Sequence, residues 1–216
     1  MIGYFKKSGF IIAVLALAIS GCAEVGASRS ADESAMTGVA LVQKVCSMCH
    51  GITGESISPM FPKLAGQQKA YLVAQLTDFK GHARSDASGV QHMWGFTHLT
   101  PTQINELAEY FSRQKPMLAP PGKAATNERG EKIFRTGLPD QGVTQCSACH
   151  GAQGQGNGLF PRLAGQHANY VVRQLKVFKL TDKRPRGGPM KGVTHNLSEA
   201  DMVAVASYIA SLGRAQ

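Results

Sequence analysis

The chain has 216 residues, of which 43% are hydrophobic and only 7% aromatic, and its formal net charge is +9. This length is enough for one large core or two small ones. The positive charge does not predict a nucleic-acid-binding protein, because the sequence contains neither a basic run interleaved with aromatic residues nor a nucleic-acid fold motif.

The N-terminal residues have the pattern of an export signal. Lys6 and Lys7 precede an apolar run over 10–19 that is too short for a comfortable membrane span. The sequence Ile-Ser-Gly then leads directly into Cys22, which resembles a bacterial lipobox, where the cysteine is acylated and becomes the mature N-terminus. We therefore expect a lipoprotein signal peptide over 1–21.

An acylated Cys22 would anchor the protein on the periplasmic side of a bacterial membrane, inner or outer. Ordinary cleavage after Ala23 or Ala27 is the alternative. Residues 22–35 are mostly small or polar and have no periodicity, which is typical of a flexible tether.

A five-residue sequence occurs twice, as Cys-Ser-Met-Cys-His at 46–50 and as Cys-Ser-Ala-Cys-His at 146–150. Cys-x-x-Cys-His is the attachment sequence for c-type haem, in which the thiols add across the vinyl groups and the histidine ligates the iron. A zinc half-site or a thioredoxin-like pair would not need the histidine directly after the second cysteine. The sequence thus predicts two covalent haems, held by Cys46, Cys49, Cys146 and Cys149, with His50 and His150 as fifth iron ligands.

The surroundings of the two motifs are also duplicated, at an offset close to one hundred residues. The sequence Phe-Pro-Lys-Leu-Ala-Gly-Gln at 61–67 recurs as Phe-Pro-Arg-Leu-Ala-Gly-Gln at 160–166. No segment has the pattern of a strand, so the predicted class is all-α, with two tandem haem domains. We expect them at 36–117 and 127–216, joined by a proline-rich linker at 118–126.

Each copy predicts a helix, the haem motif, a loop, a second helix, a loop and a last helix. The lead-in helices are expected at 37–45 and 128–135, and an apolar face recurs in the middle helix of each copy. The last helices have clear start signals, with caps at Thr100 and Ser198.

The sixth iron ligand decides the function. An open iron, with no protein ligand at the sixth position, binds small molecules, whereas a closed iron, with a protein side chain at that position, transfers electrons. Met93 follows His50 by 43 residues and Met190 follows His150 by 40, each in a Met-x-Gly segment predicted to be a loop before the last helix. Thioether sulfur is a soft ligand that favours ferrous iron. A lone methionine more often fills a core, but the equivalent positions in the two copies favour ligation.

Other polar residues have less specific interpretations. His98 and His195 are also equivalent, and as sixth ligands they would give bis-histidine haems; helix capping or a place at the haem edge is the other interpretation. The carbonyls of Pro62 and Pro161 are well placed to accept from the ligating imidazoles. Candidates for haem propionate binding, or for ordinary packing, are Gln67, Gln166, Tyr71, Tyr170 and Arg84, whereas His82, His92 and His167 have the character of surface residues.

Charge is unequally distributed, with a net +2 over 36–116 and +7 over 117–216. Seven cations surround the segment that leads to Met190: Arg173, Lys176, Lys179, Lys183, Arg184, Arg186 and Lys191. They could steer an acidic redox partner to the second haem or form a solvated basic face.

These motifs together resemble the dihaem cytochrome c4 family, over nearly all of the mature chain. The resemblance implies two class I cytochrome c domains related by a pseudo-twofold axis, with the propionate edges of the haems facing across the interface. It also implies His50 with Met93 and His150 with Met190 as axial pairs. The implied role is periplasmic electron transfer rather than catalysis, with a terminal oxidase, a cytochrome bc complex or a dehydrogenase as redox partner.

Two other functions remain open from the sequence. A dihaem peroxidase would need an accessible sixth position on one iron, which Met93 and Met190 argue against. A dedicated electron-accepting subunit of a periplasmic dehydrogenase, for example one that oxidises thiosulfate or alcohols, would carry the same motifs as a general shuttle.

Overall fold

The computed structural model describes residues 35–96, 98–117, 119 and 128–213. The predicted signal peptide, Cys22, nearly all of the tether and most of the linker lie outside these residues. We refer to 35–117 as the first domain and to 128–213 as the second domain.

The first domain contains five α-helices: α1 Gly38–Leu41, α2 Ser47–His50, α3 Lys69–Lys80, α4 Ala87–Met93 and α5 Pro101–Ser112. A π-helical turn, Val42–Cys46, joins α1 to α2 without a break, and a 3-10 turn, Trp94–Phe96, follows α4. The predicted lead-in helix thus exists but runs directly into the first haem motif. Thr37 caps it by accepting from the Ala40 amide at 3.3 Å.

The second domain repeats this order with α6 Glu128–Thr136, α7 Ser147–His150, α8 Ala168–Leu180, α9 Gly188–Thr194 and α10 Glu199–Ser211. Short 3-10 turns lie at Pro139–Gln141 and Pro185–Gly187. Within the described residues there is no strand, only two isolated bridges, Leu138 with Val143 and Asn157 with Phe160. The predicted all-α class is therefore confirmed. No helix in the described part of the chain has the length and apolar character needed to cross a membrane.

In both domains the lead-in helix crosses the last helix at a glycine. A Cβ atom added to Gly38 would lie 2.4 Å from Cβ of Glu106, and one added to Gly130 would lie 2.2 Å from the carbonyl oxygen of Ala204. Glycine is unfavourable inside a helix, so its presence at both crossings reflects the close approach of the two backbones. This crossing sets the position of the first haem motif, which begins at the end of its lead-in helix, whereas residues 137–145 separate the second motif from its lead-in helix.

Each domain has its own core, formed where the lead-in, middle and last helices meet. The first core contains Leu41, Val42, Leu72, Leu99, Ile104, Leu107, Ala108 and Phe111. The second core contains Ile133, Phe134, Leu138, Val143, Val171, Leu175, Leu197, Met202, Val205, Ala206, Tyr208 and Ile209. Two separate clusters are what a duplicated domain predicts.

The last helices begin where their sequences predict. The Thr100 hydroxyl accepts from the Gln103 amide at 3.2 Å, and the Gln103 side chain accepts from the Thr100 amide at 2.9 Å, which completes a capping box. In the second domain the Ser198 hydroxyl accepts from the Asp201 amide at 3.1 Å.

Candidate haem sites and the interface between them

Both haem motifs are single helical turns that end at a glycine. The cysteines are spaced i, i+3, so their thiols lie on the same side of the turn, with the second cysteine of each pair exposed. Gly51 and Gly151 follow the histidines with φ of 76° and 82°, a conformation that reverses the chain there. Burial raises the pKa of the Cys146 thiol to about 11.

The histidine of each motif is buried and held by a proline carbonyl. Nδ1 of His50 lies 2.9 Å from the oxygen of Pro62, and Nδ1 of His150 lies 2.9 Å from the oxygen of Pro161. A carbonyl can only accept, so Nδ1 carries the proton and Nε2 has the lone pair. The predicted role of the two prolines as acceptors is confirmed.

Burial keeps these imidazoles neutral. It lowers the pKa of His50 and of His150 more than the hydrogen bonds to Pro62 and Pro161 raise them. A neutral imidazole with an unprotonated Nε2 is the form that ligates iron.

The loop after each motif has the same structure in both domains. The Gly54 carbonyl accepts from Leu64 at 2.7 Å, and the Gly154 carbonyl accepts from Leu163 at 2.7 Å. Next to each proline, a phenylalanine ring meets the histidine edge-on, with centroid distances of 6.2 and 6.3 Å at Phe61 and Phe160. The two sites are therefore built alike down to individual contacts.

The segments with the candidate sixth ligands are helical, and the prediction of loops there is wrong. Met93 is the last residue of α4, and Met190 lies within α9; both are partly buried. Asp86 caps α4 by accepting from the Gly89 amide at 3.3 Å, whereas α9 begins at Gly188-Pro189, with proline in the first turn. Met190 packs against the core of its domain.

The remaining histidines match the prediction only in part, because His82 is exposed as expected whereas His167 is half-buried. His195 is exposed at the end of α9, and His82 lies against the Trp94 ring at a centroid distance of 4.4 Å. His167 is not an open surface residue, because its Nε2 lies 2.7 Å from the Ser56 carbonyl of the other domain. His92, the residue before Met93 in α4, contacts the Phe61 ring edge-on at a centroid distance of 5.2 Å.

Two glutamines join the domains reciprocally. The Gln67 side chain donates to the Arg162 carbonyl at 3.0 Å and accepts from the Arg162 amide at 2.6 Å. The Gln166 side chain donates to the Lys63 carbonyl and accepts from the Lys63 amide, both at 3.0 Å. This exchange is what a pseudo-twofold relation between the domains produces. The structure thus places Gln67 and Gln166 in the interface, where each glutamine is 4% exposed.

Two arginines form a second symmetric cluster. Arg84 donates to Gln75 at 2.8 Å and to Gln174 at 3.2 Å, and Arg184 donates to the same two oxygens at 2.7 and 2.5 Å. Each guanidinium also stacks on a ring of its own domain, at 4.5 Å on Phe79 and 4.6 Å on Phe178. The signal that could have revealed this cluster is a glutamine at the same position on the apolar face of both middle helices.

The carboxylates of this interface are not symmetric. Asp86 pairs with Arg84 at 2.8 Å inside the first domain, whereas Asp78 pairs across the interface with Arg186, whose Nε lies 3.1 and 3.0 Å from its two carboxylate oxygens. Despite burial, which favours the neutral acid, Arg84 and the more distant Arg184 hold the pKa of Asp86 below its usual value.

Most of the basic cluster of the second domain is already engaged. Arg173 donates to the carbonyls of Pro59 and Met60 in the first domain at 2.9 and 2.8 Å. Further partners are Glu199 for Lys176, the Leu197 carbonyl for Lys179, and Asp182 for Lys191. Arg173 therefore contributes to the interface, while Lys176, Lys179 and Lys191 bind groups of the second domain itself.

The two sites fit c-type haem. Each offers a thiol pair, a neutral imidazole with an available Nε2 and a fixed ring orientation. Between them, Nε of Arg162 is buried without a hydrogen-bond partner among the described residues, so an anionic group such as a propionate would satisfy it.

Known proteins show the same organisation. The Cytochrome c family model matches twice, at residues 35–115 and 127–213. Cytochrome c4 of Stutzerimonas stutzeri is 37% identical over 209 residues, covering 92% of this chain and 96% of the relative. A crystal structure of reduced recombinant cytochrome c4 from Pseudomonas stutzeri superposes with a TM-score of 0.73 at 38% identity, covering 81% of this chain and 96% of that chain.

A more distant relative, the thiosulfate dehydrogenase electron acceptor of Thiomonas intermedia, is 34% identical over 176 residues, which is 77% of this chain and 77% of the relative. The duplicated family match, the high coverage and the shared fold lead to one conclusion. The chain belongs to the dihaem cytochrome c4 family and is an electron-transfer protein with two covalently bound haem c groups.

Proposed function

We propose that His50 with Met93 and His150 with Met190 are the axial ligands of two closed haem irons. The thioether bonds would form at Cys46 and Cys49 in a domain over 36–117, and at Cys146 and Cys149 in a domain over 127–216, with 118–126 as linker. Each bound haem supplies a ferric–ferrous couple that takes up and releases one electron.

The observation that carries this proposal is the matched pair of buried imidazoles, each oriented by a proline carbonyl at 2.9 Å. The carbonyl fixes the ring plane and raises the basicity of Nε2. Because burial keeps each ring neutral, ligation costs no deprotonation near neutral pH. Two sites with matching histidine contacts, joined by a tight interface, are what we expect of a relay in which electrons pass from one haem to the other.

We further propose that the protein works in the periplasm, delivering single electrons to a terminal oxidase or between respiratory complexes. The export signal and lipobox support removal of residues 1–21 and anchoring through acylated Cys22. Intact-mass analysis of the mature protein tests this anchor. A mature N-terminus other than acylated Cys22 would contradict it.

The relay itself is tested by potentiometric titration of the purified protein with optical detection. We expect two one-electron steps, both from low-spin haem. A high-spin ferric component, or turnover of hydrogen peroxide, would instead indicate a dihaem peroxidase with an open iron.

A dedicated electron acceptor of a periplasmic dehydrogenase is the second candidate. It is favoured by the similarity to the thiosulfate dehydrogenase electron acceptor of Thiomonas intermedia. Co-purification from detergent-solubilised membranes distinguishes the two. A stable complex with a dehydrogenase, together with reduction of both haems by its substrate, would support this candidate over the general shuttle.

A further inference from the structure

The reciprocal glutamine contacts involve the same peptide groups that orient the proximal histidines. The amide that donates to Gln166 belongs to Lys63, and the peptide bond that contains this amide also contains the Pro62 carbonyl. That carbonyl accepts from Nδ1 of His50. One peptide group of the first domain therefore lies between a glutamine of the second domain and the histidine of the first haem site.

The equivalent arrangement exists at the second haem site. Gln67 accepts from the Arg162 amide at 2.6 Å, and the carbonyl of the same peptide group, that of Pro161, accepts from Nδ1 of His150 at 2.9 Å. Each hydrogen-bond chain thus begins in one domain and ends at the iron ligand of the other.

The orientation of each glutamine amide follows from its partners. Oε1 of Gln166 accepts from Lys63 and from the His167 amide at 3.0 Å, while Nε2 donates to the Lys63 carbonyl. Oε1 of Gln67 likewise accepts from the Gln68 amide at 2.9 Å. If either side-chain amide were flipped, its NH2 group would face backbone N–H groups, which are also donors. The oxygen must therefore face the peptide N–H group.

Such a chain transmits polarisation. An acceptor on the N–H side of a peptide increases the negative charge on its carbonyl oxygen, because consecutive hydrogen bonds strengthen one another. A stronger carbonyl acceptor draws the Nδ1 proton further from the imidazole and makes Nε2 more basic. A more basic ligand stabilises ferric iron relative to ferrous iron and lowers the reduction potential.

We propose that Gln166 and Gln67 are positioning residues that tune the haem of the opposite domain through the proline peptide behind its histidine. Gln166 lowers the potential of the haem held by His50, and Gln67 lowers that of the haem held by His150. The proposal rests on the ligand roles proposed above for His50 and His150. Contact between the domains thereby sets the potentials of both irons.

The test compares Gln166→Met and Gln67→Met with the parent holoprotein. Methionine has a similar length, but its thioether sulfur is a much weaker acceptor for the peptide N–H group than an amide oxygen. For Gln166→Met we expect the midpoint potential of the His50 haem to rise, with a change of roughly threefold in its ferric-to-ferrous ratio at fixed ambient potential. The His150 haem should not change. Gln67→Met should give the reverse pattern, and either variant alone tests the proposal if the other does not fold.

A second readout follows the hydrogen bond itself. In the ferrous protein, the Nδ1 proton resonance of His50 should move upfield in Gln166→Met, and that of His150 should move upfield in Gln67→Met, because each bond to proline weakens. A loosened interface would instead admit water and lower the potentials of both haems.

Gln68→Met is the matched control, because Gln68 donates across the interface to the Gln155 carbonyl at 3.0 Å but touches neither proline peptide. It should leave both potentials and both resonances unchanged. The proposal is overturned if each variant shifts the haem of its own domain, both haems equally, or neither. If the variants keep two low-spin haems with the potentials of the parent, the proposed tuning is refuted but the proposed iron ligands are not. If the haems of the parent protein are not ligated by histidine, the proposed ligands themselves are refuted.

Discussion

Arg84 and Asp86 form a buried ion pair at the interface between the two domains, at the start of the helix that ends at Met93. Nε of Arg84 lies 2.8 Å from Oδ1 of Asp86, and the side chains are 7% and 1% exposed. The other carboxylate oxygen caps α4, the helix that ends at Met93, and the guanidinium reaches Gln174 of the second domain. One pair therefore connects the interface to the segment that carries the proposed ligand.

Asp86→Asn should destabilise the protein strongly. Asparagine is also a good helix cap, so the substitution removes the charge and retains the cap on α4. Arg84 would remain buried without its carboxylate, and breaking a buried pair in this way costs about 3–5 kcal/mol. Chemical denaturation of the holoprotein, followed by far-UV circular dichroism, measures the loss.

Asp78→Asn provides the comparison, because its partner Arg186 is half exposed. Loss of this pair should cost no more than ~1 kcal/mol. Equal losses for the two variants would show that burial does not distinguish the pairs and would contradict the role given to Arg84.

Stability should fall in acid partly through Asp86. Burial acts to raise the pKa of Asp86, but Arg84, Arg184 and the Gly89 amide together outweigh it and hold the pKa below the ordinary value of 3.8. The ionised Asp86 therefore gives its full stabilisation at a pH well above its pKa in the unfolded state. This stabilisation is lost as the pH falls below that pKa and approaches the lower pKa of Asp86 in the folded state. Unfolding free energies measured from neutral pH to about pH 2 should decline more steeply for the parent than for Asp86→Asn. Parallel curves would contradict this assignment.

Met93→Ala and Met190→Ala should each leave the sixth position of one haem iron without a protein ligand. Loss of a thioether ligand converts that haem to a high-spin form that binds external ligands, and its potential falls because sulfur no longer favours ferrous iron. Optical spectra and carbon monoxide binding measure both effects, one haem per variant.

Met60→Ala serves as the control for these variants, because Met60 is 53% exposed and lies in the loop before Phe61. Its spectrum should match that of the parent. A parent-like spectrum in Met93→Ala or Met190→Ala would exclude that residue as a ligand.

Gly130→Ala should weaken the second domain selectively. The added methyl group would lie 2.2 Å from the Ala204 carbonyl, so α6 and α10 must separate. Overpacking of this kind typically costs about 1–3 kcal/mol. Thermal unfolding should show the loss, whereas Gly188→Ala at the exposed start of α9, where the added atom meets nothing within 4 Å, should be nearly neutral.

The features that could be predicted from the sequence are those encoded by short local patterns or by the duplication. The haem motifs, the all-α class and the caps at Thr100 and Ser198 are each encoded within a few residues, and the duplication doubled the evidence for each. The helical state of Met93 and Met190 was missed because their glycine-containing segments lack an apolar periodicity, and caps at Asp86 and Gly187 are weak signals on their own.

The interface could not be predicted, because its partners lie far apart in the chain. Gln67 pairs with Arg162 and Gln75 with Arg184, at separations of 95 and 109 residues. Neither residue type shows which surface it will meet, so the sequence alone could only suggest haem propionates or ordinary packing. The contacts of the basic cluster could not be predicted either, since Lys191 and Lys179 meet a carboxylate and a carbonyl that no local pattern reveals.

We expect a histidine and a methionine on each iron, which leaves both haems to relay electrons. Near-infrared magnetic circular dichroism of the ferric protein identifies these ligands, because the charge-transfer band of a low-spin haem depends on its pair of protein ligands. We expect histidine–methionine bands that account for two haems in each chain. A bis-histidine band or a high-spin signal from either haem would contradict this expectation.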